Sequence, residues 1–167
     1  MRFLSSRFGE IEVADRDVLR FKKGILGFEG LSTYALLPYR EDSPFCFLHS
    51  TEDRDLCFVV TAPHWFRPDY RVEISRDDMR DLDVKSCDEL AVYTIVTVPQ
   101  NPREMTANLL APLLVNKEKG YAKQTVQRES AYRTRHVIID EIERAKRLAA
   151  ETGPSEADSK VQLVMVG

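Results

Sequence analysis

The run from Leu90 to Val98 constrains the fold of this chain more than any other segment. Its residues are β-branched, aromatic or aliphatic, which suits a pleated strand better than a helix. Alternate positions belong to opposite faces of a strand, and here both faces are largely apolar. A strand of this kind is typical of the centre of a sheet that is covered on both sides. We therefore expect a central strand that Pro99 ends.

The segment after this strand combines a helical turn with a second apolar run. Residues 101–104 predict one turn, with Asn101 as N-cap, Pro102 at the first helical position and Glu104 completing a capping box. The chain then becomes apolar again up to Asn116. Pro112 cannot donate a hydrogen bond to a neighbouring strand, so we expect this second strand to lie at an edge or to carry a bulge.

Most of the remaining chain also has the pattern of short strands. The predicted strands are 8–13, 18–21, 34–38, 45–50, 56–61, 71–74 and 121–127, and the pair 45–50 and 56–61 predicts a hairpin. Ser75 can cap a brief helix over 76–82, because Asp77 and Asp78 lie in its first turn. Many short strands with few helical patterns predict a mainly β protein, either a sandwich or a small closed, barrel-like antiparallel sheet with short helical turns.

The C-terminal part differs from the rest of the chain. Apolar residues recur near a helical period over 137–151, which predicts a C-terminal helix with a narrow apolar stripe. Gly153-Pro154 should end this helix, 155–160 reads as a polar linker, and 161–166 is apolar and β-prone. We divide the chain into a β domain, 1–139, and a C-terminal extension, 140–167. The apolar end is expected to dock on a sheet edge of this chain or on a partner.

Size, cysteines and charge narrow the class of protein. A chain of 167 residues suits one domain, and three cysteines without a Cys-x-x-Cys spacing fit a reducing compartment. An export signal and a run of about 20 apolar residues are both missing, so we expect a cytoplasmic protein without a membrane segment. A net charge of -3 argues against a protein that binds nucleic acid by neutralising phosphates, and fits a basic partner better.

The sequence carries few motifs for catalysis or metal binding. Cys46 and His49 have the spacing of a metal pair, but in a strand they point to opposite faces and cannot bind one ion. We therefore expect Cys46 to serve as a small apolar residue and His49 to lie at the surface or at a rim. His64 and His136 have no nearby nucleophile motif. The acidic stretch 77–83 does not fit the ligand spacing of a calcium loop. We therefore expect no metal and no cofactor; a small Cys/His hydrolase remains the least favoured alternative.

An RNA-binding barrel is the other alternative. Three aromatic residues near one loop could form a stacking platform for single-stranded RNA: Trp65, Phe66 and Tyr70. Core or rim packing explains them better, because Arg67 and Arg71 are the only nearby bases among several acids. A contiguous basic face that included these two arginines and Arg128 would favour RNA binding.

Several motifs, taken in order, resemble the flagellar assembly factor FliW family. They are 21–29, 44–45, 52–60, 68–70, 96–99, 105–112, Asn116, Tyr132 and 135–136. The resemblance covers about 1–139. It implies a cytoplasmic, non-enzymatic, barrel-like protein that binds flagellin before export and binds the translational repressor CsrA, which relieves repression of flagellin synthesis. It also leads us to expect a monomer without direct nucleic-acid or membrane binding.

The matched motifs suggest which residues contact partners. We predict partner binding by polar or aromatic positions that a core would not require: Glu29, Asp69, Tyr70, Thr106, Asn108, Tyr132, Arg135 and His136. A structural role is the alternative for several of them, above all hydrogen bonding to backbone by Thr106 and Asn108. Arg54 stands where the family typically has proline, which predicts a less rigid loop. We also expect the extension to pack on the body and to tune access to the partner surface.

Overall fold

Strands dominate the computed structural model, which describes residues 1–128, 130–152 and 161–166. The strands are β1 (Arg2–Ser5), β2 (Gly9–Glu12), β3 (Val18–Phe21), β4 (Thr33–Pro38), β5 (Phe45–Ser50), β6 (Cys57–Thr61), β7 (Arg71–Ser75), β8 (Leu90–Thr97), β9 (Thr106–Ala107), β10 (Leu113–Asn116), β11 (Tyr121–Gln124), β12 (His136–Val137) and β13 (Gln162–Val166). The helices are α1 (Arg76–Asp81) and α2 (Ile138–Thr152). Short 3-10 turns cover Asp15–Asp17, Pro63–Trp65, Cys87–Glu89 and Pro102–Glu104.

Strand β10 closes the main sheet into a barrel. The strands follow the order β10, β11, β3, β4, β5, β6 and β8, and β10 also pairs with β8. Within the described residues, seven strands therefore form a closed ring, which confirms the predicted barrel-like fold. The seam between β11 and β3 runs parallel, whereas the other neighbouring pairs of the ring are antiparallel. The predicted hairpin is confirmed as β5 and β6.

Strand β8 lies between two apolar clusters, one inside the barrel and one outside it. Ala91, Tyr93 and Ile95 point into the barrel, where every strand of the ring contributes apolar side chains. Leu90 and Val92 face the other way and pack against a second apolar cluster, built by β7, α1, α2 and the aromatic loop before β7. Both faces of β8 are thus covered, as the sequence predicted for a central strand.

The N-terminal hairpin of β1 and β2 covers a third cluster. Phe3 and Val13 pack there against Val18 of β3 and Ala35 of β4. The turn of this hairpin contacts the loop between β5 and β6, because the Ser6 N–H donates to the Arg54 carbonyl at 2.9 Å. Arg54 Nε also donates to Ser6 Oγ at 3.1 Å. Arg54 therefore joins the loop between β5 and β6 to the turn of the N-terminal hairpin.

Of the two alternatives for Pro112, the edge position is wrong and the bulge agrees with the pairing: residues 108–112 lie opposite only two residues of β8, between the pairs Ala107↔Val96 and Leu113↔Tyr93. Strand β10 is not an edge strand, since it pairs with β11 on one side and β8 on the other. Pro112 lies just before the first residue of β10, where it breaks no pair in the ladder, and its carbonyl accepts the Thr125 N–H at 3.0 Å. Two short strands that the sequence did not predict, β1 and β12, pair with β2 and β9.

The C-terminal segment contacts the body through a helix and a strand. Helix α2 covers Ile138–Thr152 and follows β12 directly. It therefore spans the domain boundary that we placed between residues 139 and 140, and that boundary stays a prediction. Strand β13 pairs in parallel with β7. The predicted helix stop at Gly153-Pro154 and the polar linker 155–160 lie outside the described residues. In the described ranges, neither helix has the length and apolarity that crossing a bilayer requires.

Candidate functional site

Four of the predicted partner-binding residues meet beside α2. Together with three residues that the sequence analysis did not select, they form a group that we call the Arg67 network: Arg67, Asp69, Tyr70, Tyr132, His136, Glu141 and Arg144. They come from the loop before β7, the segment leading into β12, and α2. The network therefore joins three parts of the chain that are far apart in sequence.

Alternating charges connect α2 to the loop before β7. Arg67 Nη1 donates to Glu141 Oε2 at 2.8 Å, and its Nε lies 3.2 Å from Asp69 Oδ1 without hydrogen-bond geometry. Arg144 donates to both oxygens of Asp69, at 2.8 and 2.6 Å. Two-point contacts of this kind fix orientation as well as distance. The arrangement holds α2 against the loop before β7 at two points.

Opposite charges in the Arg67 network stabilise the ionised forms of Asp69 and Arg144. The hydrogen bonds from Arg144, with the positive charges of Arg144 and Arg67, hold the pKa of Asp69 below its usual range. The same contact raises the pKa of Arg144. Burial raises the pKa of Tyr70, whose hydroxyl donates to the Leu109 carbonyl at 2.6 Å. Tyr70 therefore stays a neutral donor and Asp69 stays a carboxylate.

Both ring nitrogens of His136 are occupied. Its Nε2 accepts the Arg133 N–H at 2.9 Å, so Nε2 must carry a lone pair and Nδ1 carries the hydrogen. Nδ1 lies 3.0 Å from Glu141 Oε1 and donates to it. We assign this tautomer from the two contacts. His136 thus orders the segment before β12 and orients Glu141 toward Arg67.

Tyr132 provides the aromatic part of the network. Its ring packs edge-on against Tyr70, with 4.8 Å between centroids, and the Arg67 guanidinium lies 5.2 Å from its centroid. A cation over a tyrosine ring is held by the ring quadrupole. Its hydroxyl accepts the Arg71 N–H at 3.0 Å. Half-buried Tyr132 and exposed Asp69 give the network a polar and aromatic rim.

The other predicted residues lie in different surroundings. Glu29 accepts the Gly27 N–H at 3.1 Å, which lowers the pKa of its carboxyl, in a loop whose Ile25 packs in the barrel interior. Asn108 Oδ1 accepts the Ala111 N–H at 3.0 Å, as its structural alternative predicted. Thr106 pairs with Val137 between β9 and β12, and Arg135 is exposed just before β12.

Sequence reasoning missed Glu141 and Arg144. Their spacing of three places them on one face of a helix, which was the only available signal. Nothing local indicates that Glu141 contacts Arg67 or that Arg144 contacts Asp69, since each pair is more than 70 residues apart. The fold brings them together.

The structure agrees with the packing role that we predicted for the aromatic residues of the loop before β7. Phe66 and Tyr70 are fully buried, and Trp65 is half-buried, with its Nε1 donating to Thr61 Oγ1 at 2.8 Å. Arg67, Arg71 and Arg128 do line one surface cavity of about 230 Å³. Glu73, however, shares that lining, and the Arg67 charge is compensated by two carboxylates. The cavity is mixed in charge rather than a basic face.

His49 is not the surface or rim histidine that the sequence predicted. It is 1% exposed, because the β1–β2 hairpin covers it. Its Nδ1 lies 2.7 Å from the Ser50 carbonyl and its Nε2 lies 2.8 Å from Ser5 Oγ. Burial raises the pKa of the Cys46 thiol. Among the described residues, no three His, Cys, Asp or Glu side chains are grouped as metal ligands would be.

The fold and the network define a β-barrel protein with a charged and aromatic surface beside a C-terminal helix. The family model described as FliW protein matches residues 2–138. The flagellar assembly factor FliW of Alkaliphilus metalliredigens is 39% identical over 152 residues, covering 90% of this chain and 94% of that protein. That of Syntrophomonas wolfei is 40% identical over 139 residues, covering 83% of this chain and 89% of that protein.

A solved structure gives the same result. The crystal structure of the flagellar assembly factor FliW matches with a TM-score of 0.76 and 30% identity, covering 83% of this chain and 96% of that one. The chain belongs to the FliW family.

Proposed function

We propose that this protein binds flagellin before export, binds the CsrA-type translational repressor, and thereby couples flagellin synthesis to flagellin secretion in the cytoplasm. The observation that carries the proposal is membership of the FliW family across residues 2–138. In this scheme, accumulating flagellin occupies the protein and leaves the repressor active. Secretion of flagellin leaves this protein free to bind the repressor. Coupled equilibria at a shared or antagonistic surface are sufficient for such a switch.

We propose the rim of the Arg67 network as the contact surface. It combines an exposed carboxylate, Asp69, with the half-buried ring of Tyr132, and Arg135 lies exposed a few residues further along. Aromatic and arginine side chains on a rigid support are common anchors of protein interfaces. The support here is rigid in the physical sense, because Arg144 of α2 holds Asp69 through two hydrogen bonds, and the Arg71 N–H and the Arg67 guanidinium hold Tyr132.

A binding role accounts for the histidines and thiols better than catalysis does. His49 and His136 each use both ring nitrogens for structural contacts. Burial raises the pKa values of Cys46 and Cys57, which disfavours the thiolate that a nucleophile needs. His64 is exposed in a 3-10 turn. We therefore propose a protein that acts by binding rather than by catalysis.

Direct binding assays with purified flagellin and purified repressor test the proposal. Each partner is titrated with the full chain, and the Arg135→Glu variant is compared with Arg16→Glu, which reverses an exposed charge in the Asp15–Asp17 turn. We expect both partners to bind the unaltered chain. Arg135→Glu should weaken binding of at least one partner about 10-fold, whereas Arg16→Glu should not.

Two outcomes would count against this function. If neither flagellin nor the repressor binds the full chain, the assignment is wrong. If a labelled single-stranded RNA binds the chain directly and Arg71→Glu or Arg128→Glu abolishes that binding, the protein is an RNA binder. If Arg135→Glu and Arg16→Glu had equal effects on binding, the two partners would still be assigned, but the contact surface would lie on another part of the protein.

A further inference from the structure

Two turns bring a row of aromatic side chains together on the outer face of β5. Phe8 comes from the turn between β1 and β2, and Tyr39 follows β4 in the turn that leads into β5. Phe47 of β5 lies between them, with its ring centroid 5.2 Å from that of Phe8 and 5.6 Å from that of Tyr39. With two neighbouring arginines they form a group that we call the aromatic strip: Arg7, Phe8, Tyr39, Arg40 and Phe47.

The aromatic strip is exposed to solvent. Phe47 alternates along β5 with Cys46 and Leu48, which pack inside the barrel, so its ring points outward. Phe8 is 44% exposed and Tyr39 is 50% exposed. Single exposed apolar residues are ordinary, whereas adjoining exposed rings are typical of a surface that a partner covers. The strip therefore provides the apolar part of an interaction site.

Hydrogen bonds fix the backbone beneath the aromatic strip. The N–H groups of Arg7 and Phe8 both donate to Ser5 Oγ, each at 3.1 Å. In the other turn, the Tyr39 N–H donates to the Phe45 carbonyl at 3.2 Å. Both turns are thus held in a defined conformation, so their side chains lose less freedom when a partner covers them.

Each arginine of the strip lies over an aromatic ring. The guanidinium carbon of Arg7 is 5.6 Å from the ring centroid of Phe8 and 5.5 Å from that of Phe47. The guanidinium carbon of Arg40 is 4.8 Å from the ring centroid of Tyr39. A contact of this kind uses the flat face of a guanidinium and leaves the N–H donors along its edge available. The rings therefore hold two positive charges in place without neutralising them.

The two arginines have no acidic partner in the part of the chain that the structure describes. Neither Arg7 nor Arg40 forms an ion pair there. Glu41 and Asp42 follow in the same turn as Arg40 but pair with neither arginine. A carboxylate can accept two parallel hydrogen bonds from the edge of a guanidinium. The side chains of the strip carry positive charge only, so they complement a ligand that combines carboxylates with apolar groups.

An acidic peptide fits this surface better than single-stranded RNA does. Stacked bases need open ring faces, whereas Arg7 and Arg40 already lie over the rings. Tyr39 also meets Phe47 edge-on, with an angle of 81° between the two ring planes. Aliphatic side chains have no such requirement for parallel faces. The net charge of -3 further disfavours a ligand that is charged at every phosphate.

We propose that the aromatic strip binds an acidic segment of a partner protein, in which apolar side chains lie between carboxylates. The carboxylates accept hydrogen bonds from Arg7 and Arg40, and the apolar side chains cover the three rings. This inference goes beyond the function proposed above and does not rest on it. Strand β6 separates β5 from β8 in the ring, and the strip shares no residue with the Arg67 network, so the two surfaces can be tested separately.

Two labelled peptides of opposite charge test the proposal by fluorescence anisotropy. The acidic probe is Glu-Glu-Leu-Trp-Leu-Glu-Glu, and the basic probe replaces each glutamate with lysine. We expect the full chain to bind the acidic probe at least about 10-fold more tightly than the basic probe, because like charges across an interface repel. An acidic probe with serine in place of leucine and tryptophan should bind at least about 10-fold more weakly, because it cannot cover the rings.

Charge reversal in the strip should shift this preference toward the basic probe. In Arg7→Glu and in Arg40→Glu, the acidic probe should lose at least about 5-fold in affinity, and the basic probe should bind more tightly than it binds the unaltered chain. A gain for the basic probe separates binding from a structural role, because a damaged fold weakens both probes. Arg16→Glu makes the same change at an exposed position in the Asp15–Asp17 turn and should leave both affinities unchanged.

Circular dichroism checks that each variant keeps its strand content, and the two arginines lie in different turns, so that one variant serves if the other unfolds. Equal affinities of the unaltered chain for the acidic and basic probes would overturn the proposal, as would an unchanged preference in both arginine variants. Binding of a labelled single-stranded RNA that Arg7→Glu abolishes would assign the strip to nucleic acid and overturn it too. A concentration-dependent dimer that both arginine variants abolish would show that a second copy covers the strip, with the same consequence.

Discussion

Arg144 on α2 and Asp69 in the loop before β7 face each other through two parallel hydrogen bonds. The distances are 2.8 Å from Nη1 to Oδ1 and 2.6 Å from Nη2 to Oδ2. The pair lies at the surface, with 32% and 47% of the two side chains exposed. It closes a loop of 75 residues and sets the position of α2 relative to β7. The C-terminal helix is thus part of the candidate site rather than an appendage to it.

This pair predicts a defined pH dependence. The pKa of Asp69 is lower in the folded protein, so folding favours the carboxylate. The stabilisation should be complete above the ordinary aspartate pKa of about 4 and should disappear as the pH falls through the lower folded value. We expect Asp69→Asn to reduce the free energy of unfolding by about 1 kcal/mol or less at pH 7, because exposed pairs are screened. Urea titrations of both proteins should show this difference shrink below about pH 4; a difference that grows in acid would contradict the assignment.

Glu141 should matter more than its neighbours on α2. Its carboxylate contacts both Arg67 and His136 in a buried position. Glu141→Ala removes one partner of a buried charge, and we expect a loss of about 3 kcal/mol in the free energy of unfolding. Glu143→Ala is the control on the exposed face of the same helix and should change it by about 0.5 kcal/mol or less. Similar losses in the two variants, measured by urea unfolding, would contradict the role of Glu141.

Ser5 is predicted to hold the N-terminal hairpin on the barrel. Its Oγ accepts the N–H groups of Arg7 and Phe8, each at 3.1 Å, and lies 2.8 Å from His49 Nε2. Ser5→Ala leaves these buried or half-buried groups without their partner, so we expect a loss of about 2 kcal/mol. Ser6→Ala, at an exposed position in the same turn, should cost less than about 1 kcal/mol. Thermal or urea unfolding compares the two, and a larger loss for Ser6→Ala would refute the prediction.

Tyr34 offers a substitution that should stabilise the protein. Its hydroxyl is buried in the barrel, and in the described part of the chain it has no hydrogen-bond partner. Tyr34→Phe removes an unsatisfied polar group, and we expect a gain of about 1 kcal/mol at pH 7. Burial raises the pKa of Tyr34 to about 12.

The pH dependence of Tyr34→Phe provides a second measurement. Above the ordinary tyrosine pKa of about 10, the unfolded chain ionises at this position while the folded one does not. The native protein should therefore lose stability relative to the variant between about pH 10 and 12. Unfolding titrations at pH 7 and 11 measure both effects; a less stable variant at pH 7 would reveal a partner for the hydroxyl.

Local sequence signals predicted most of the secondary structure. Ser75 caps α1 as expected, and the structure adds a reciprocal bond from Asp78 that the sequence analysis did not predict. Asn101 caps the Pro102–Glu104 turn through the Arg103 N–H at 3.1 Å, but the described contacts of this turn do not include the capping box expected from Glu104. The sequence left an edge and a bulge open for Pro112, because both avoid a ladder hydrogen bond at proline; only the strand pairing shows that the bulge is the one that occurs.

The candidate site could be predicted only in part. Asp69, Tyr70, Tyr132 and His136 were selected as positions that a core would not require, and the structure brings them together. For Tyr70 that reason was wrong, because its ring is fully buried in the apolar cluster beside β7; His136 is buried as well. Glu29 and Asn108 came from the same reasoning but make local contacts to backbone. A polar residue that satisfies a nearby turn and one that faces a partner have the same sequence pattern, so only geometry separates them.

The sequence by itself determined that this chain forms short strands, a central two-faced strand at β8 and an amphipathic α2, because side-chain period and propensity act over a few residues. Tertiary structure alone decided that β10 closes the ring, that Arg67 meets Glu141, and that the tail lies along β7. These contacts join residues far apart in the chain. Their formation depends on which surfaces remain to be covered once the barrel has closed, and no local pattern carries that information.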